Sequence, residues 1–175
     1  MLSDDAQHAL DAITTERSFD RNAIIQEIGT SCRTVYIVRS GAARIFYLKD
    51  GTDITEHFAF ENELIVRAES LFTGLPTRKG IQAIDHTVLA AIDSRKLFEL
   101  FDIHHDVERL FRHLIEREYV NTVKRIENLQ FMSARERYIE LLENTDYVKR
   151  IPLKFIASYL GITQVSLSRI RAELT

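Results

Sequence analysis

From Val107 to Leu129 apolar residues recur at spacings of three and four, with one gap between Leu114 and Val120: Val107, Leu110, Phe111, Leu114, Val120, Val123, Ile126 and Leu129. That is the period of a single amphipathic α-helix. The pattern starts at Asp106 and persists for about 26 residues, roughly 39 Å at 1.5 Å per residue. A small globular unit cannot cover an apolar stripe of that length. A second copy of the chain is the simplest partner for the uncovered part, with Leu110, Leu114, Val123 and Ile126 expected on the shared face.

The sequence before this helix has a different period. Residues 3–14 read as a short helix, with Ser3 as its N-cap and Ala6, Ala9, Leu10 and Ile13 on one side. Then come stretches rich in Ile, Val, Phe, Tyr and Thr: Ala23–Ile28, Thr34–Arg39, Ala43–Lys49 and Ile54–Phe60. Ser40-Gly41 and Asp50-Gly51 separate the last three, so two successive hairpins and an antiparallel meander are expected. Ile45, Phe46, Tyr47 and Leu48 put apolar side chains on both faces, which suits a closed or two-sheet barrel. Residues 62–80 are irregular. Ile81–Ile84 and Val88–Asp93 read as further strands, and Ser94 as the cap of a short helix over Arg95–Phe101.

After the long helix, Ser133-Ala-Arg-Glu136 has the form of a capping box, so a new helix is expected from there to about Asn144. A polar connector, 144–150, follows; it leaves little chain for a wing hairpin. Pro152 is expected at the first position of another helix, where its missing N–H is harmless. Leu153, Ile156, Ala157 and Leu160 form one face of that helix, and Gly161 can take the left-handed conformation that ends it. Thr163 caps a second helix whose Leu167, Ile170 and Leu174 face inward. Two short helices joined by a tight glycine-containing turn make a helix-turn-helix.

The opposite face of the second helix carries Gln164, Val165, Ser168 and Arg169. Arginine can fork onto guanine O6/N7, glutamine onto adenine N6/N7, and valine can touch a thymine methyl. Those four are the expected base-contacting residues of a double-stranded DNA reader. Lys154, Thr163, Ser166 and Arg171 are the expected phosphate contacts. Charge distribution agrees with this polarity. The chain is net −3, but residues 1–103 carry 11 Lys/Arg against 16 Asp/Glu, whereas residues 146–175 carry 5 against 2.

The C-terminal run Ile151-Pro-Leu-Lys-Phe-Ile-Ala-Ser-Tyr-Leu-Gly-Ile-Thr-Gln-Val-Ser-Leu-Ser-Arg-Ile-Arg171, with a barrel and a long helix before it, resembles the CRP/FNR family of bacterial transcription regulators. The resemblance spans essentially the whole chain and is strongest over 106–174. It implies an α+β fold: an N-terminal antiparallel β jelly-roll or barrel of the cyclic-nucleotide-binding type, a long dimerisation helix, and a C-terminal winged-helix-like helix-turn-helix domain. It further implies a homodimer on a palindromic operator, with RNA polymerase as a further partner and a cytoplasmic location. The corresponding domain boundaries are 1–103, 104–131 and 132–175.

Two positions depart from the family pattern. Where the recognition helix often carries Glu, this chain has Val165, leaving Arg169 as the main base-contacting candidate. Members that bind cyclic AMP use a Gly-Glu pair and an Arg-Ser/Thr-Ala triplet in the barrel. The matching stretches here, Asn62–Phe72 and Pro76–Ile81, contain neither, and Arg67 stands near the glutamate position. Cyclic AMP is therefore not the expected effector, and no cofactor is identified. Arg67, Glu69, Ser70, Thr77, Arg78 and Thr122 remain the residues that would line a pocket for some other small molecule.

Other classes have less behind them. Cys32 is the only cysteine, so no intrachain disulfide and no four-cysteine metal site can form; it is expected as a small buried side chain. Metal-dependent enzymes on antiparallel barrels need two or three histidines and a carboxylate converging in the barrel. His57 is the only histidine on an expected barrel strand, and Glu56 beside it points to the other face. His86 and His113 are expected to be structural, and His104-His105 to lie in an exposed turn. No apolar run reaches the length of a membrane span and no secretory leader pattern is visible. The alternative that stays open is a sensor module acting through protein contacts without DNA.

Overall fold

The computed structural model describes residues 2–144 and 146–174. Helix α1 (Asp4–Ala12) starts at Ser3, whose Oγ accepts from the Ala6 amide, and buries Ala6 and Leu10. Eight strands follow: β1 (Thr14–Phe19), β2 (Ile24–Gln26), β3 (Thr34–Ser40), β4 (Ala43–Lys49), β5 (Thr52–Ala59), β6 (Leu64–Ile65), β7 (Lys79–Ala83) and β8 (Thr87–Asp93). They form two four-stranded antiparallel sheets, ordered β1-β8-β3-β6 and β2-β7-β4-β5. Two stacked antiparallel sheets of this kind make a jelly roll.

The expected meander is only half right. β4 and β5 do form a hairpin through the two-residue turn Asp50-Gly51, both with positive φ (50° and 76°). Across Ser40-Gly41, however, β3 and β4 enter different sheets, so that turn is a crossing between layers and not a hairpin. Gly41 comes so close to the β7–β8 turn that a Cβ there would lie 2.4 Å from the His86 carbonyl oxygen. Three elements within or beside the expected ones also emerge: the edge strand β1, the short β6, and helix α2 (Ala68–Thr73). Helix α3 (Ser94–Phe101) is capped by Asp93 and not by Ser94; the Asp93 carboxylate accepts from the amides of Arg95 and Lys96.

Helix α4 (His105–Phe131) has the expected length, 27 residues, and ends where the chain turns extended at Met132. Helix α5 (Ala134–Asn144) begins with the capping box: the Ser133 amide donates to Glu136 Oε2 (2.7 Å) and the Glu136 amide to Ser133 Oγ (3.3 Å). A 3-10 turn (Asp146–Arg150), helix α6 (Leu153–Tyr159) and helix α7 (Gln164–Leu174) complete the described chain. Pro152 is the N-cap of α6, one position earlier than expected. Among the described residues no strand follows β8, so they form no wing hairpin.

Three apolar clusters stack these elements in layers. Tyr36, Val38, Ala43, Ile45, Ile65, Ile81 and Leu89 fill the space between the sheets. α1, α3 and the start of α4 cover the outer side of the first sheet through Ala6, Leu10, Leu97, Val107 and Phe111, with Cys32 buried there as expected. The third cluster joins Phe58, Phe60 and Ile84 of the second sheet's region to Tyr138, Ile151, Phe155, Ile156, Leu160 and Leu167 of the C-terminal helices. Both sheets are thus covered on both sides, which is why β4 carries apolar residues of both parities.

Candidate nucleic-acid interface

α6 ends in a Schellman motif: the Ile162 amide donates to the Ala157 carbonyl (3.0 Å) and the Gly161 amide to that of Ser158 (3.1 Å). Gly161 sits at φ +71°, and a Cβ there would meet the Leu129 side chain at an ordinary contact distance of 3.7 Å, so the turn needs glycine for its backbone angle and not for room. Two arginines complete the helix end. Arg125 of α4 donates to the Tyr159 carbonyl (3.1 Å) and Arg137 of α5 to that of Leu160 (2.9 Å). Cations at a helix C-terminus satisfy its free carbonyls and oppose its dipole.

α7 starts from Thr163, whose Oγ1 accepts from the Ser166 amide (3.1 Å). Leu167 is fully buried and Ile170 packs beside it. Leu174, expected inward, is 39% exposed and lines an open depression with Tyr138 and Leu142. The outward side presents Gln164, Val165, Ser168 and Arg169 together, all exposed, with Val165 at 62%. Lys154 is exposed in the first turn of α6, its amine 4.7 Å above the Phe155 ring. The four expected base-contacting residues are thus all exposed on α7, whose other side is buried at Leu167; of the expected phosphate contacts, Ser166 is half-buried and Arg171 lines the depression with Tyr138 and Leu142.

The residues expected around an effector are less coherent. Arg67 is 2% exposed and donates to Gln26 Oε1 (2.8 Å), Thr30 Oγ1 (3.2 Å) and the carbonyls of Glu27 and Lys79. Ser70 is buried between the Cys32 amide and the Leu75 carbonyl, and Thr77 is buried with its backbone bonded to Gly29 and Thr30. These three brace the 27–32 loop. Glu69 and Arg78 face solvent, and Thr122 is exposed on α4, back-bonded to the Glu118 carbonyl.

Of the expected dimer residues, Leu110 and Ile126 are exposed, Val123 is half-buried, and Leu114 packs into the chain's own cluster beneath the first sheet. A more regular line stands beside them: Ile115, Tyr119, Thr122, Ile126 and Leu129, spaced four and three in alternation. Tyr119 is 69% exposed and Ile126 49%. That spacing is the heptad of a coiled-coil seam. It was present in the sequence but merged there with the body-facing residues.

Sequence reasoning also missed a buried polar group on β4. Arg44 is 1% exposed, forks onto Asp53 (2.5 Å to each oxygen), and donates to Thr55 Oγ1 and Gln82 Oε1. Nearby His57 keeps a pKa lowered to about 4, by burial first and by the Arg125 charge second. Among the described residues no three His, Cys, Asp or Glu side chains gather as metal ligands would, and no helix is long and apolar enough to cross a membrane.

Comparison with known proteins places this arrangement. The cyclic nucleotide-binding domain model matches residues 16–104, just over half the chain. No curated protein sequence matches. Solved structures do: FixK2 from Bradyrhizobium japonicum at 23% identity and TM-score 0.81, covering 93% of this chain and 84% of that one. The regulator CLP from Xanthomonas campestris follows at 16% identity and TM-score 0.78, covering 98% and 91%. CooA from Carboxydothermus hydrogenoformans superposes at 18% identity and TM-score 0.75, covering 99% and 85%. The chain shares its fold with these solved structures and with one described as a regulator of the CRP/FNR family, and by its sequence over residues 16–104 it belongs to the cyclic nucleotide-binding domain family.

Proposed function

We propose that the protein is a sequence-specific DNA-binding transcriptional regulator, working as a homodimer in the cytoplasm. The observation that carries this reading is the outer face of α7. It leaves Gln164, Val165, Ser168 and Arg169 uncovered while its back is sealed by Leu167. α7 enters the major groove, with Lys154, Thr163, Ser166 and Arg171 toward the phosphates. The heptad line on α4 pairs with its equivalent in the second copy, so the operator is a palindrome with half-sites about one helical turn apart. Residues 1–103 act as the sensor, 104–131 as the dimer helix and 132–175 as the DNA-binding domain. RNA polymerase is the partner such a regulator addresses once bound.

The protein is not read as an enzyme. Cyclic AMP is not the favoured effector, because Arg67 already bonds to its own chain where a cyclic-AMP binder of this family would need a carboxylate. Neighbours of this fold are described as c-di-GMP responsive or as complexed with other small molecules. An effector of different chemistry at the barrel therefore fits the reading, acting only by its differential affinity for two arrangements of the dimer.

Selection from random duplex DNA with the purified protein at moderate salt, with and without cell extract, tests this. A palindromic motif is the expected outcome. Enrichment of no sequence under either condition would overturn the DNA-binding reading and leave a sensor acting through protein contacts.

A further inference from the structure

The face of the second sheet away from the first does not meet solvent. It meets the helix-turn-helix. Arg44, on β4, lies with its guanidinium carbon 3.7 Å from the centre of the Phe155 ring of α6, and 4.7 Å from that of Phe46. Asp53, Thr55 and Gln82, all from the same sheet, hold that guanidinium in plane. Enclosing a cation this completely is expensive unless its geometry is fixed by partners. The partners here fix it over a ring from the other end of the chain.

Three further contacts join the same two bodies. β5 has a register shift opposite Ile45 and Phe46, and the Thr55 amide donates to Ser158 Oγ on α6 (3.1 Å). The Tyr159 ring lies 5.1 Å from that of Phe58. Arg150, just before α6, bridges Glu61 (2.9 Å) and Asp85 (3.1 Å) on the barrel. All of these engage α6 or the turn before it, and none covers the outward face of α7.

We propose that this contact fixes the helix-turn-helix to the barrel as one body, and that Arg44 is a positioning residue, acting through Phe155, that sets the direction of α7. The inference rests on the DNA-binding reading of α7. It adds that the half-site spacing of the operator is chosen by the barrel's second sheet as well as by the dimer helix. A loosened contact leaves each α7 competent for its half-site but lets the two vary in separation.

The test uses the full-length protein and the variants Arg44→Lys, Phe155→Leu and Arg150→Gln. Arg44→Lys keeps the charge and loses the planar fork; Arg150→Gln is partly exposed and spares the core. Affinity is measured on the selected palindrome with its centre shortened or lengthened by one or two base pairs, and on a duplex holding one half-site. The expected wild-type preference for one spacing is tenfold or more. In the variants it falls below threefold, while single half-site affinity stays within twofold. An unchanged spacing profile would overturn the proposal, as would equal losses on palindromes and the single half-site.

Amide hydrogen exchange supplies a readout that does not involve DNA. The Thr55 amide should be protected in the wild type and exchange at least tenfold faster in Phe155→Leu, with Leu89 in the barrel interior unaffected. A Thr55 amide unprotected in the wild type would show that the two bodies are not locked, whatever DNA does. A protein that binds no palindrome but shows this exchange pattern would refute the DNA reading and leave the locked body standing.

Discussion

Replacing Leu167 by alanine removes three carbons from a side chain with no exposed surface. The cluster around it draws on the second sheet's region (Phe58, Phe60, Ile84) as well as on α5, α6 and α7. A site walled by sheet on one side and by clamped helix ends on the other has little freedom to collapse. The cost should therefore fall in the middle to upper part of the known range for buried leucine truncation, about 3–4 kcal/mol. For a chain of this size each kcal/mol lowers Tm by roughly 2–4 °C, so a drop of about 6–16 °C is expected. Calorimetry at fixed protein concentration reads it, since the proposed dimerisation would make Tm concentration-dependent. Because the cluster spans both bodies, the whole transition should move as one. Leu174→Ala, at a site 39% exposed, should change stability by less than about 1 kcal/mol. A Leu167→Ala loss below about 1.5 kcal/mol, or two separate transitions of which only one moves, would refute the shared core.

Arg169→Ala should weaken operator binding by about 1–3 kcal/mol and relax sequence preference at one base pair per half-site, as read by competition on single-base operator variants; an equal loss on every sequence would make it a phosphate contact. Lys154→Ala should weaken all sequences alike and lower the slope of affinity against salt by about one per subunit. Ile126→Glu, at an exposed seam position of α4, should give a monomer in sedimentation velocity while the barrel stays folded; a persistent dimer would place the interface elsewhere. The native state resists protonating His57 until about pH 4, whereas the unfolded chain takes that proton below about 6.5. Stability should thus fall as pH drops through that window, by less than about 3 kcal/mol because the ring is 29% exposed and Glu118 lies 3.6 Å away. His57→Gln should flatten that limb of the pH–stability curve measured in urea, and an unaltered limb would assign it to other groups.

The parts legible in the sequence were those written in local, repeated signals. α4 announces itself by 27 residues of helical period, and the helix-turn-helix by Ala157, Gly161, Thr163 and Leu167 at spacings that one Schellman turn explains. β1 was not legible because an edge strand that pairs only with β8 can keep Thr15–Ser18 exposed and shows no alternation. β6 and α2 are too short to carry a period. The Ser40-Gly41 crossing looks locally like a hairpin, and only the pairing of β3 with β8 tells otherwise. Arg44 is the clearest case. A charged residue in a strand reads as solvent-facing, and what buries it is Phe155, which no local pattern could bring there.

α4 is held at its first turns by Val107 and Phe111 and near its far end by the Arg125–Tyr159 and Asn128–Glu140 hydrogen bonds. Mechanically it is a strut roughly 40 Å long, clamped at both ends to the same body. A tilt of that whole body by about 5° against the second copy would carry the far end about 3.5 Å, one base-pair rise along a duplex. Operator length would then be set by the angle between two such bodies, and the groove that Phe72, Phe98, Phe101 and Phe111 line lies beside the start of the strut.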